Sequence, residues 1–232
     1  MNKIFKVIWS KARNCYVVVS EIAHCQGKGK GQKRAVLTCS LAAALTVFTL
    51  TGGVTAVQAE TGTTAYAAGV EASATGNNAT AVGNEAKASD ENAMAVGNKA
   101  EASKNDAVAV GNEAKASDEN AMAVGNKAET SKKGAVAVGN EAKASDENAM
   151  AVGNKAEASK KDAVAVGNGA KALAEDAMAI GNGANVGENG ENAMAVGNKA
   201  EASKKDAVAV GNGAKALAED AMAIGNGANV GE

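Results

Sequence analysis

From residue 65 onward, small apolar residues alternate with bulkier or polar ones in short bursts. In the unit AMAVGNKAEASKND at 93–106, Met94 and Val96 stand two apart with Ala93 and Ala95 between them, and Lys99, Glu101 and Ser103 alternate with Ala100 and Ala102. A period of two is that of a strand. Gly–Asn separates the bursts and a polar stretch closes the unit, which predicts two short strands and two turns. Glycine paces the repeat at Gly69, Gly83, Gly97, Gly111, Gly125, Gly139, Gly153, Gly167, Gly181, Gly197, Gly211 and Gly225, with ten of eleven intervals equal to 14 residues. The exception is 16 residues, between Gly181 and Gly197, where NVGENGEN predicts a two-residue bulge. A repeat of this kind predicts a solenoid, here an all-β stack of parallel coils over 65–232.

Two other readings compete. Fourteen residues is two heptads and alanine is the best helix former, but a helical face needs apolar residues three and four apart, and Gly–Asn interrupts every unit. Disorder suits a chain rich in Ala, Gly, Asn, Lys and Glu. Equivalent positions in successive units decide against it, because in-register parallel coils put them about 4.8 Å apart. Two residues after each glycine the series runs Glu85, Lys99, Glu113, Lys127, Glu141, Lys155. Two residues further on it runs Lys87, Glu101, Lys115, Glu129, Lys143, Glu157. Sign alternates at every step in both columns, so each charge has an opposite neighbour above, below and beside it. A disordered chain has no use for that phasing.

Fourteen residues at about 3.3 Å each make a circuit of about 46 Å, which flattens into two strands and leaves little room inside. Such a lumen is expected to hold Val, Met, Ile and Ala but no stacked aromatics. Each Gly–Asn pair is read as structural, supplying the tight turn through positive φ or a side-chain hydrogen bond. One coil buries too few apolar atoms to offset the entropy of ordering it, so further burial between chains is predicted. Tyr66, in an atypical first unit, is read as a cap.

Composition separates this region from what precedes it. The chain has no proline, and beyond Ala59 the only aromatic residue is Tyr66. Residues 1–59 carry eight Lys/Arg and one acid, leaving sixteen bases and twenty-five acids downstream, a balance of −9. Lys33 and Arg34 precede an apolar run from Ala35 to about Leu50 and a small-residue site ending at Ala59. That order reads as a secretory signal over 35–59, cleaved between Ala59 and Glu60, with 60–64 as a short lead-in. A retained membrane anchor is the alternative reading of the same run, near the lower length limit for a span. A lipoprotein signal through Cys39 is a weaker one. Export implies Sec translocation, and the leader is expected to be helical or disordered. Cys15, Cys25 and Cys39 all lie in it, so the mature chain cannot form disulfides.

The mature chain has no His, Cys, Trp or Arg, and its acids repeat in solvent-facing register, so no enzyme, catalytic residue or cofactor is expected. Net negative charge speaks against nucleic acid. The SDEN segments at 89–92, 117–120 and 145–148 share with calcium loops only the placing of acids beside Asn. They lack the converging oxygens and glycine bend of such loops, and a solvated turn is the better reading. Polar edges also discourage sheet growth.

The unit resembles the head repeat of YadA-like trimeric autotransporter adhesins, whose pattern of Asn, small residue, Val, Ala, Ile, Gly is met in NAMAVG at 92–97, DAVAVG at 106–111 and DAMAIG at 176–181. Residues 1–34, with NKIFKVIW, VVVSE and GKGK, resemble the extended signal peptide region of large autotransporters. The resemblance implies a left-handed parallel β-roll, a homotrimeric head, type V secretion to the cell surface, and attachment to host matrix proteins, host cells or other bacteria. An inert spacer is the structural rival. No heptad stalk or membrane-strand segment follows, and residues 193–232 duplicate 149–188 letter for letter, which reads as a fragment or truncated frame. Without an anchor the chain is expected to stay in the periplasm.

Overall fold

The computed structural model describes residues 5–10, 15–20 and 64–231. They fall in two units, Met1–Phe48 and Thr49–Glu232, each taken by itself. In the first, strands β1 (Phe5–Ser10) and β2 (Cys15–Ser20) pair antiparallel, with Phe5 opposite Ser20 and Ser10 opposite Cys15. This corrects the helical or disordered leader expected above for these residues. FKVIWS and CYVVVS are dense in β-branched and aromatic side chains, which favour extended backbone. The apolar run, the Ala59–Glu60 junction and most of the lead-in lie outside the described residues.

The second unit is a stack of twelve coils. Each coil supplies a three-residue strand such as Met94–Val96 and a two-residue strand such as Glu101–Ala102. The long strands form one twelve-stranded sheet and the short strands another. Between the two end coils every strand pairs in parallel with its equivalents in the coils before and after, Met94 with Val108 and Lys87 with Glu101. Beyond the strands, the N–H of Gly97 donates to Val82 O and that of Lys99 to Asn84 O, both at 2.8 Å. Hydrogen bonding between coils therefore runs through the turns as well, which is how a narrow stack satisfies its backbone.

The lumen differs from expectation. Its buried apolar residues are all alanine except Val186, four per regular coil, as in Ala93, Ala95, Ala100 and Ala102. Met94 is 42% exposed, and Val96 is half-buried. The bulky set expected inside lies outside. Alternation defines two sets of positions but not which one faces inward, and so flat a circuit is filled mainly by methyl groups, with Val186 and Thr130 the largest side chains it encloses. Thr130, whose hydroxyl donates to Lys115 O at 3.3 Å, is the one buried polar residue among those described. Tyr66 is 50% exposed between buried Ala65 and Ala67, so it lies on the outer surface and does not close the lumen.

The turns also refine the sequence reading. Gly111 has φ 142°, and a Cβ there would sit 2.1 Å from the carbonyl oxygen of Gly125, so both conformation and close approach demand glycine. The second left-handed residue is not the Asn that follows but the charged residue after it: Glu85, Lys99, Glu113, Lys127, Glu141 and Lys155 have φ between 53° and 55°. A side chain there costs about 1 kcal/mol or more. In other coils Gly169, Gly183, Gly213 and Gly227 hold the same place.

The two extra residues before Gly197 are absorbed between Val186 and Ala193. There Gly190 N–H donates to Gly187 O at 3.0 Å. Register resumes at once, with Met178 opposite Met194.

Candidate functional site

Two outer faces and two turn edges result. The face of the long-strand sheet carries Met94, Val108, Met122, Val136, Met150 and Val164 in one column, beside a column of Val and Ile. Met122 and Met150 are 41% and 40% exposed. The face is apolar and partly exposed along these coils.

The face of the short-strand sheet is charged. Lys87, Glu101, Lys115, Glu129, Lys143 and Glu157 are successive register partners. The neighbouring column holds Glu85, Lys99, Glu113, Lys127, Glu141 and Lys155, in opposite phase. Ion pairs follow the stack from Lys99 to Glu85 at 3.9 Å, Lys155 to Glu141 at 3.9 Å and Lys171 to Glu157 at 3.5 Å. These pairs are exposed and each contributes little. Their alternation matters more for what it avoids, since uniform columns would set like charges about 4.8 Å apart.

Between the faces runs an asparagine ladder. The amide of Asn98 donates to Asn84 Oδ1 at 3.1 Å, Asn112 to Asn98 at 3.1 Å, Asn126 to Asn112 at 3.0 Å, and so on up to Asn198. The Asn of each Gly–Asn pair from Asn84 to Asn198 thus ties one coil to the next instead of bonding locally.

At the opposite turn stands a charge ladder that the sequence reading passed over: Asp90, Lys104, Asp118, Lys132, Asp146 and Lys160. Beside it Lys133 pairs with Glu119 at 3.1 Å, and that hydrogen-bonded carboxylate raises the lysine pKa above its ordinary value. The column comparison that exposed the first two ladders would have found this one too. In the SDEN turns, Asp90, Asp118 and Asp146 accept the N–H of the next residue at 2.8–2.9 Å. Among the described residues no three acids gather as a metal-ligand set.

The pacing glycines hold these columns in line, and the charged columns lie together on one face. The Ala59–Glu60 junction, being outside the described residues, has no place among them.

Fold and surfaces together define a class: a parallel β-solenoid with one apolar face and one charged face. The YadA head domain repeat (2 copies) matches residues 61–86, 74–100, 102–128, 131–156, 158–184, 189–214 and 202–228, and the Extended Signal Peptide of Type V secretion system matches residues 1–50. The chain belongs to the YadA-like trimeric autotransporter adhesins. It is an exported chain and an adhesin head of that family. Among solved structures it is similar to the collagen-binding domain of the Yersinia adhesin YadA, 28% identical, with a TM-score of 0.44, covering 59% of this chain and 68% of that one. No curated protein matches.

Proposed function

We propose that three copies of this chain assemble about the Met–Val–Ile face into one head, whose outer surface attaches the bacterium to host extracellular matrix or host cells. The observation that carries the reading is the half-exposed apolar stripe running the length of the stack. A lone chain gains little by displaying it, whereas three parallel chains sharing an axis remove it from water at every coil. Left-handed winding of the coils belongs to the same reading.

A matrix protein is the partner class that family membership favours; the Yersinia relative is described as collagen-binding. A repeated surface suits such a partner, because many weak and equivalent contacts on three chains raise one another's effective concentration. The head works by adhesion without catalysis or cofactor, and it does not address nucleic acid. The Sec machinery handles the leader, and the head acts at the cell surface.

Light scattering on the exported chain tests the assembly, and a stable folded monomer refutes it. Binding to immobilised collagen, to fibronectin and to intact cells tests the attachment. Binding to none of the three leaves the head a spacer and refutes the adhesive reading.

A further inference from the structure

We propose that the charged face of the short-strand sheet docks onto the same face of a second copy of this chain, in another head, in a register set by the alternation of sign. The inference rests on the trimeric reading, which turns the Met–Val–Ile face inward and leaves the charged face outward.

Across coils 2–7, counted from Ala65, the two columns hold six Glu and six Lys. The face is neutral overall, so it does not select a polyanion or a polycation. It selects a surface whose charges alternate at the same spacing, and the chain itself presents one. Because the two columns are in opposite phase, the face is its own complement. A two-fold axis crossing the stack midway between coils 4 and 5 sets Glu113 against Lys127 of the second copy and Lys115 against Glu129 of the second copy. A two-fold axis along the stack sets Glu113 against Lys115 of the second copy. In either arrangement, sliding the partner along the stack by one coil turns every contact into a like-charge contact.

Two further observations indicate that these charges serve more than the coil. Lys87, Lys115, Lys127 and Lys143 make none of the ion pairs formed among the described residues, and they remain exposed. The column from Glu85 to Lys155 also occupies left-handed backbone that glycine fills in coils 8, 9, 11 and 12. Charge is therefore retained there against conformational preference, and strain of this kind is kept where a surface has a function. A groove of about 500 Å³ lies between the columns from Glu85 to Glu129, and a second of about 780 Å³ continues it to Lys171. The long side chains of an opposing copy have space to interleave there.

Sedimentation velocity of the exported chain at about 10 mM and about 1 M salt tests the contact, since the screening length falls from about 30 Å to about 3 Å between them. The expected result is one assembly unit at high salt and multiples of that unit at low salt. A variant with all twelve charged residues replaced by Gln, unchanged in circular dichroism, stays a single unit at both. Glu113→Cys chains mixed with Lys127→Cys chains, or with Lys115→Cys chains, form a disulfide between heads in the crosswise or the lengthwise arrangement respectively. Absence of salt-dependent association, its persistence in the Gln variant, or failure of both mixtures to cross-link overturns the proposal. The trimeric reading is judged separately, by the mass of the unit at high salt.

Discussion

Replacing Gly111 by alanine probes the stacking itself. At φ 142° the backbone lies where only glycine is at ease, and the new Cβ would stand 2.1 Å from Gly125 O. Relief requires coils 4 and 5 to part locally. Two bonds flank the clash, Gly125 N–H to Val110 O and Lys127 N–H to Asn112 O, both 2.8 Å. Strain of about 1–3 kcal/mol joined to two weakened bonds at about 1 kcal/mol each puts the loss at about 3–5 kcal/mol per chain. Gly169 is the control, with φ 64° and nothing within 4 Å of its added Cβ, so Gly169→Ala costs only about 1 kcal/mol.

Denaturant unfolding followed by circular dichroism measures both. Stability in a stack resides in neighbour contacts, so Gly111→Ala also separates coils 1–4 from the rest as a unit that exchanges amide protons early. If Gly111→Ala costs no more than Gly169→Ala, the in-register approach of glycine columns is wrong.

Met122→Lys places a charge on the half-exposed apolar face; the chain keeps its β signal but loses mass in light scattering, falling from trimer to monomer. Asn126→Ala removes two rungs of the amide ladder, the bonds to Asn112 and from Asn140, each 3.0 Å; water replaces them, so stability drops by about 1 kcal/mol at most, read from the unfolding midpoint. The Lys133–Glu119 pair raises the lysine pKa, so its contribution is whole below the ordinary value of 10.5 and is lost as pH rises through the raised one. Comparing denaturant midpoints of the parent and Lys133→Gln should show a small difference near neutral pH, reduced by salt and absent in strong alkali.

Much of this architecture was readable from residues alone because each coil repeats the last. Alternation in AMAV and KAEAS marks the strands, the glycine spacing marks the coils, and the sign changes from Glu85 to Lys155 require equivalent positions to be neighbours. The direction of the side chains was not readable. Burial energy favours Val96 over Ala95 for the interior, but the cross-section of a 14-residue circuit overrides that preference, and the bulky residues become the outer face. The left-handed position was signalled by Gly169, Gly183, Gly213 and Gly227 standing in a column otherwise filled by Glu and Lys. An exchange between glycine and long charged residues marks backbone geometry more plainly than an Asn beside a glycine. In the leader, Val7, Ile8 and Val17–Val19 carried a strand signal that the signal-peptide reading obscured.

The two-coil rhythm of the ladders governs how such a gene can lengthen or shorten. Losing the segment 107–120 would bring Lys99 onto Lys127 and Glu101 onto Glu129, whereas losing two such segments restores alternation. In-frame slippage should therefore survive in steps of two coils, each pair changing reach by about 10 Å. The duplication of 149–188 as 193–232 obeys the same logic by another route. Its first copy ends on a coil neutral in both columns, Gly183 and Asn185, which can abut Lys199 and Glu201 whatever the parity. Natural length variants that break alternation without such a neutral coil would contradict this.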